Sequence, residues 1–181
     1  MKALLFGVIA LCGVLSGCMS VGDINRMWGA DNDKLRQTVC RKEMPLEKRP
    51  AIVALVATFG QLNMVVDNVD YDLGLVRATG KAPAPLSYDE FEDVKRVEGP
   101  RITNPLFRWD MHFDIAVSGV VNATSAGGSL VALTGRLDFE GNLQMIEPVS
   151  ELPPRALQLA CEKIFAAMDR VAAEQKQTLL N

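Results

Sequence analysis

The single histidine of the chain, His112, is its best candidate for acid–base or metal chemistry. Asp110 and Asp114 flank it at a spacing of two residues, and residues two apart on a β-strand project from the same face. A carboxylate–histidine–carboxylate cluster is therefore geometrically possible. Alternating charges are nevertheless ordinary on the solvent face of a strand, and no second histidine or general base accompanies these residues. We interpret all three as part of a solvated strand face.

Other catalytic motifs are incomplete in this sequence. There is no G-x-S-x-G nucleophile elbow, and the glycine pair at 127–128 lacks the lysine and the following helix of a phosphate-binding loop. The acidic residues Asp70 and Asp72, and those in 89–93, have the spacing of turn and helix-surface charges. We therefore predict no catalytic residue, no cofactor and no metal site, and a protein that is not an enzyme.

The first residues have the layout of a secretory signal. A basic start at Lys2 is followed by a thirteen-residue apolar run over 3–15, and small residues come next. The run is too short for a stable membrane-spanning helix, which needs about 20 apolar residues. We predict a signal peptide over 1–17, whose removal leaves 164 of the 181 residues.

Residues 15–18, Leu-Ser-Gly-Cys, resemble the lipobox of bacterial lipoproteins: an aliphatic residue, a small residue, glycine and cysteine. The resemblance implies cleavage before Cys18, with palmitate or a similar acyl chain on its sulfur and on the new amino group. The alternative is an ordinary signal peptide with a chance cysteine. In enterobacterial lipoproteins an Asp directly after the cysteine favours inner-membrane retention. Met19 stands there in this chain, so the resemblance implies a lipid anchor on the periplasmic face of the outer membrane.

The net charge and the distribution of charged residues argue against some classes of binding partner. The formal net charge is −3, and loss of Lys2 with the signal makes it −4. No run of Lys or Arg follows, so neither nucleic-acid binding nor charge-driven lipid binding is indicated. Membrane contact is expected through the lipid anchor, because two or more acyl chains give stable attachment where one does not.

Two cysteines, Cys40 and Cys161, remain after Cys12 leaves with the signal and Cys18 is acylated. A pair of cysteines in an oxidising compartment is typical of a structural disulfide, which we predict here. The alternative is two buried free thiols. Two cysteines and one histidine fall short of a closed zinc site.

Apolar periodicity predicts two main helices and about five strands. Residues 18–44 are polar and irregular, and we interpret them as a lipidated tether with at most one helical turn at 34–39. Trp28 within them either sits at the lipid headgroups or packs back onto the domain. The expected helices cover 46–61, with Gly60 as a left-handed cap, and 154–174. Their predicted apolar stripes are Ile52, Leu55, Val56 and Phe59 in the first, and Leu157, Ala160, Cys161, Ile164, Phe165, Met168, Val171 and Ala172 in the second. The expected strands are 62–67, 75–80, 106–121, 130–139 and 143–147, and the alternation over 106–121 predicts one buried and one solvated face.

These elements predict a two-layer α+β domain over 45–181, an antiparallel sheet with both helices on one face. A proline-rich insertion at 81–105 contains a short helix over 88–96, which begins with a capping box at Ser87 and Glu90. The insertion is either a partner surface or a helix that closes one end of the sheet.

The unit over 46–80, a helix, a strand and an Asp-x-x-x-Gly turn into the next strand, resembles the repeated domains of BamC lipoproteins. Those domains belong to an accessory of the outer-membrane barrel-assembly machine. The matching positions are 59–60, 65–67 and 70–74. The similarity covers about 35 residues, and this chain has room for one such domain where BamC has two. It implies a fold and no functional residue.

Two functions fit the sequence. The chain is expected to be a non-catalytic accessory lipoprotein that docks on a cell-envelope protein through its sheet edge, its insertion or its open sheet face. The alternative is a periplasmic carrier with an apolar pocket for a lipid or another hydrophobic ligand, which several of the eight methionines suit.

Overall fold

The computed structural model describes residues 21–99, 113–138 and 150–180. In chain order its elements are α1 Val21–Gln37, β1 Arg41–Met44, α2 Lys48–Gln61, β2 Val65–Asp70, β3 Leu75–Lys81, α3 Tyr88–Glu98, β4 Asp114–Ala123, β5 Ser129–Asp138 and α4 Pro154–Leu180. The signal peptide, Cys18, Met19, Asp110, His112 and the predicted strand 143–147 lie outside the described residues.

The strands form one antiparallel sheet in the order β1-β5-β4-β3-β2. Helices α2 and α4 pack on one face of it, so the predicted α+β class and two-helix layer are confirmed. The strand at the β5 edge is β1, which comes from the segment predicted to be a tether. Along β4, Ile115, Val117 and Val121 face the helices and are buried, while Ser118 and Val120 alternate with them on the open face.

The apolar stripes of α2 and α4 are the centre of the core. On α2, Ile52, Leu55 and Phe59 are fully buried and Val56 is half-buried. Every predicted core position of α4 is buried: Leu157, Ala160, Cys161, Ile164, Phe165, Met168, Val171 and Ala172. The helix extends to Leu180, beyond the end predicted near residue 174. The i, i+3, i+4 rule therefore found both faces correctly.

The interpretation of residues 19–43 as an irregular tether is wrong for the part that the structure describes. Residues 21–37 form helix α1, in which Ile24 and Trp28 are fully buried in the core. Of the two alternatives for Trp28, packing onto the domain is the one observed. The apolar stripe of α1 is narrow and contains a polar residue, because Asn32 is also fully buried. A stripe interrupted in this way gives only a weak helical pattern in the sequence.

Helix α2 ends at Gln61, as predicted, but its left-handed cap residue comes three positions after the expected Gly60. Gly60 lies inside the helix, and the left-handed residue is Asn63, with φ of 58°. The amide of Met64 donates to the carbonyl of Phe59 at 3.0 Å, and the amide of Asn63 donates to that of Gly60 at 3.3 Å. These two bonds form a Schellman motif, in which asparagine can replace glycine because it tolerates the left-handed region.

Two structural features tie the layers together. A disulfide joins Cys40, just before β1, to Cys161 in α4, with an S–S distance of 2.02 Å, so the predicted bridge is present. Gly135 of β5 marks a close approach, because a Cβ there would lie 2.4 Å from Cδ1 of Leu152. Its pairing with Val117 of β4 shows no register shift, so Gly135 is not a bulge.

Candidate functional surfaces

Of the three residues interpreted as a solvated strand face, the structure describes only Asp114. Asp114 lies at the start of β4, where its Oδ1 is 3.1 Å from Nζ of Lys81. His112 and Asp110 lie outside the described residues. Within residues 21–99, 113–138 and 150–180, no group of three or more His, Cys, Asp or Glu side chains has the arrangement of a metal site.

Helix α1 is fixed to the segment just before α4 by polar contacts that range from buried to exposed. The side-chain amide of Asn32 donates to Oε2 of Glu151 and to the carbonyl of Leu152, each at 2.8 Å. Arg36 donates to the same carboxylate oxygen at 2.6 Å, and Oδ1 of Asn25 accepts from the amide of Ser150 at 3.1 Å. These contacts fix α1, whose first residue comes three positions after Cys18 in the sequence, against the domain.

The sheet has two distinct ends. We define the anchor end as the one where β3 and β5 finish and β4 begins. The amide of Leu137 there donates to the carbonyl of Ser150 at 3.0 Å, and Ser150 in turn contacts the first half of α1. The far end contains the 71–74 turn between β2 and β3. The expected lipid attachment therefore belongs to the anchor end.

The 71–74 turn at the far end is rigid and exposes apolar side chains. Oδ1 of Asp70 accepts from the amides of Asp72 and Leu73 at 2.9 and 2.8 Å, and Lys48 donates to the carbonyl of Asp72 at 2.5 Å. Tyr71 and Leu73 are nevertheless 46% and 69% exposed. A preorganised turn that presents an aromatic and an aliphatic side chain has the properties of a protein-binding element, because little conformational entropy is lost on binding.

The two edge strands of the sheet are less suited than the 71–74 turn to binding another protein. The β2 edge carries Asp67 and Asp70, and its pairing with β3 shifts register between Val66 and Asn68. The β1 edge is only four residues long, with the charged sequence Arg-Lys-Glu before its methionine. Short strands, bulges and edge charges are devices that prevent strands of other chains from pairing with a sheet.

The proline-rich insertion packs onto the domain through α3. The predicted capping box is present, since Ser87 and Glu90 exchange side-chain-to-backbone bonds at 3.3 and 2.6 Å. Val94 is fully buried in a small cluster with Leu86 and residues of α4, whereas Tyr88 is 68% exposed. Tyr88 therefore lies off the packed side of the helix.

Ion pairs reinforce this contact between α3 and α4. Burial raises the pKa of Glu90, but hydrogen bonds from Lys163 at 2.5 Å and from Ser87 outweigh it and leave the pKa below its ordinary value. The hydrogen bond from Arg155 to Asp93, at 3.1 Å, similarly lowers the pKa of Asp93. These contacts favour the interpretation that the helix closes one end of the sheet.

Two open clefts and one apolar pocket stand out among the described residues. A cleft of about 680 Å³ at the anchor end is open to solvent and has a mixed lining, with Lys81 and Lys163 beside apolar residues such as Leu86. A second, of about 630 Å³, lies on the open sheet face. The apolar pocket between Phe91 and Leu152 has room for only about 10 Å³, less than a small hydrophobic ligand requires.

The cleft on the open sheet face, which we name the arginine groove, brings together residues far apart in sequence. It is lined by Arg36, Asn68, Leu75, Arg77, Ala116, Ser118, Thr134, Gly135, Arg136, Ser150 and Glu151. Three arginines and one carboxylate give the lining a formal charge of +2. The linear sequence gives no sign of this site, because the arginines come from α1, β3 and β5 and do not form a run.

Comparison with known proteins adds no relative: no family model, curated protein or solved structure matches the chain. None of the helices in the described segments combines the length and the hydropathy needed to cross a membrane.

Proposed function

We propose that this protein is a lipid-anchored periplasmic lipoprotein that acts as a non-catalytic accessory component of a cell-envelope assembly. The observation that carries the proposal is the order of a basic start, a short apolar run and Leu-Ser-Gly-Cys ending at Cys18. Acylation of Cys18 attaches the domain to the periplasmic face of the outer membrane.

The disulfide supports the compartment in this proposal. Cys40 and Cys161 are both buried and bonded to each other, and structural disulfides persist in oxidising spaces such as the bacterial periplasm. The bridge also supports an extracytoplasmic fate independently of the lipobox, because the two features use different cysteines.

The rigid turn at the far end supports an accessory, protein-binding role. Tyr71 and Leu73 are exposed at the far end of the sheet, and the first half of α1, which follows the expected attachment in the chain, lies at the opposite end. We propose the 71–74 turn as the contact with an envelope protein partner. A carrier function is the weaker alternative, because the described apolar pocket leaves almost no space.

The anchor is tested by the variant Cys18→Ala in the native host. We expect this variant to leave the membrane fraction, because the acylated sulfur is lost. Cys12→Ala is the matched control, since that cysteine lies in the predicted signal and its loss should leave the protein membrane-bound. Retention of Cys18→Ala in membranes, or a wild-type protein whose amino terminus is intact and unmodified by mass spectrometry, contradicts the proposal.

The accessory role is tested by photo-crosslinking in intact cells. A crosslinker placed at Leu73 should give a discrete adduct with another envelope protein, whereas one at the exposed Arg170 of α4 should not. Equal adduct patterns from both positions would show random collision and would count against the far-end contact.

A further inference from the structure

We propose that the arginine groove binds the phosphate group of a membrane lipid, so that the open sheet face lies against the bilayer to which the protein is anchored. This inference rests on the lipid anchor of the proposed function, and it adds a second, non-covalent contact with the membrane. It assigns a ligand to a site that the linear sequence does not reveal.

The floor of the groove leaves space for an anion. Arg77, Ser118 and Thr134 lie in one cross-strand row, and Ala116 and Arg136 are paired in the next row. The three central residues, Ala116, Ser118 and Thr134, are small, and two of them carry hydroxyl groups. Arg77 and Arg136 stand on the two strands that flank β4, about 10 Å apart across the sheet. Their long side chains can therefore converge on a group above the centre of β4.

The chemistry of the rim fits phosphate. Guanidinium groups form paired, charge-assisted hydrogen bonds with phosphate oxygens, and the serine and threonine hydroxyls can donate further ones. Glu151 accepts from Asn32 and Arg36, and Arg36 also donates to Asp33 at 2.8 Å. Asp67 lies 3.5 Å from Arg77. These carboxylates counter two of the three arginines. Arg136 has no ion pair among the described residues, so its guanidinium is the one that remains for an anionic ligand.

The position of the groove identifies the source of the phosphate. Ser150 and Glu151 line the groove and also hold Asn25 and Arg36 of α1. Cys18 is three residues before α1, and three residues span at most about 11 Å. Lipid headgroups are thus close to the groove whenever the anchor is in the bilayer, and their local concentration there is far higher than that of free phosphate.

A matched pair of labelled valines tests the orientation. Val120 lies on the open sheet face beside the groove and is 38% exposed, and Val53 lies on α2 in the helix layer and is 44% exposed. With Cys18 acylated and Cys40 bridged to Cys161, Val120→Cys and Val53→Cys each introduce one free thiol for a nitroxide label. In vesicles of phosphatidylethanolamine and phosphatidylglycerol, we expect a water-soluble paramagnetic reagent to reach the label at 120 less than that at 53.

The groove itself is tested with glycerophosphate and the acylated full-length mature protein in detergent. Arg136→Gln should weaken binding about fivefold, the effect expected for one arginine near a phosphate surface. Arg41→Gln is the control, since Arg41 is exposed on the neighbouring strand β1 and does not line the groove. Binding is followed by NMR through the chemical shifts of the backbone amides of Ser118 and Thr134, which line the groove.

The outcomes separate this inference from the proposed function. The mass of the amino-terminal peptide is measured first, and an unacylated Cys18 defeats the proposed anchor. With the anchor present, equal access to both labels overturns the membrane orientation. Glycerophosphate binding together with equal access would mean that the groove takes free phosphate, which overturns the lipid assignment. Equal effects of the two arginine variants would overturn the site.

Discussion

Removal of the disulfide is the perturbation whose magnitude follows most directly from the structure. The bridge closes a loop between cysteines 121 positions apart. On the chain-entropy relation, the release of such a loop stabilises the unfolded state by about 5 kcal/mol. Small domains are stable by about 5 to 15 kcal/mol in total, so Cys40→Ala with Cys161→Ala should lose a large share of the free energy of unfolding.

The assay is urea unfolding of the oxidised wild type, the reduced wild type and the double variant under one set of conditions. Reduction removes only the cross-link, whereas the double variant also loses two buried sulfur atoms, since both cysteines are at most 1% exposed. The reduced protein should therefore lie between the other two. In addition, Cys40→Ser alone should leave one thiol, Cys161, that reacts with a thiol probe once the protein is unfolded without reductant.

Two results would refute this reasoning. The first is a loss below about 1 kcal/mol in the double variant, which is less than the range usual for native bridges. The second is free thiol at both Cys40 and Cys161 in wild-type protein unfolded without reductant, because no bridge would then exist to constrain the chain.

Two further predictions concern acid stability and a turn. The lowered pKa of Asp93 means that its contact with Arg155 stabilises the fold above the ordinary carboxyl pKa and is lost as the pH falls through the lowered value. In a plot of melting temperature against pH, Asp93→Asn should therefore reduce the fall in melting temperature at acid pH. The exposed Asp72→Asn should leave that fall unchanged, and the same effect from both variants would contradict the prediction. Gly74→Ala should destabilise the protein more than Gly127→Ala in urea unfolding, by about 1 kcal/mol or more. Both glycines have positive φ. Only at Gly74, however, would an added Cβ clash with a backbone oxygen, 2.1 Å away, whereas at Gly127 it would meet open space. Equal losses of unfolding free energy in the two variants would show that the backbone angle, and not the clash, determines the cost.

The sequence was sufficient wherever one regular pattern decided the structure. The stripes around Leu55 and Ile164 and the alternation over 113–121 predicted the helix layer, the long central strand and the buried face correctly. The capping box at Ser87 and the bridge from Cys40 were also predicted, because each depends on few residues and a specific geometry.

Long-range polar contacts explain what the sequence did not reveal. Helix α1 is fixed by Asn32 and Arg36 against Glu151, more than 100 residues away, and its local pattern is too polar to predict a packed helix. The arginine groove likewise depends on strand order, which places Arg77 and Arg136 on either side of β4. No spacing within the chain indicates that juxtaposition.

The position of α4 in the chain has a consequence for biogenesis. Helices α1, α2 and α3 all contact α4, and its Ile164 and Met168 lie at the centre of the core. Contacts of such high sequence separation form slowly, and the apolar surfaces that face α4 stay uncovered until residues beyond 154 are available. A polypeptide emerging amino terminus first therefore cannot complete its core until almost its whole length has been delivered, which suits a chain threaded across a membrane before it folds.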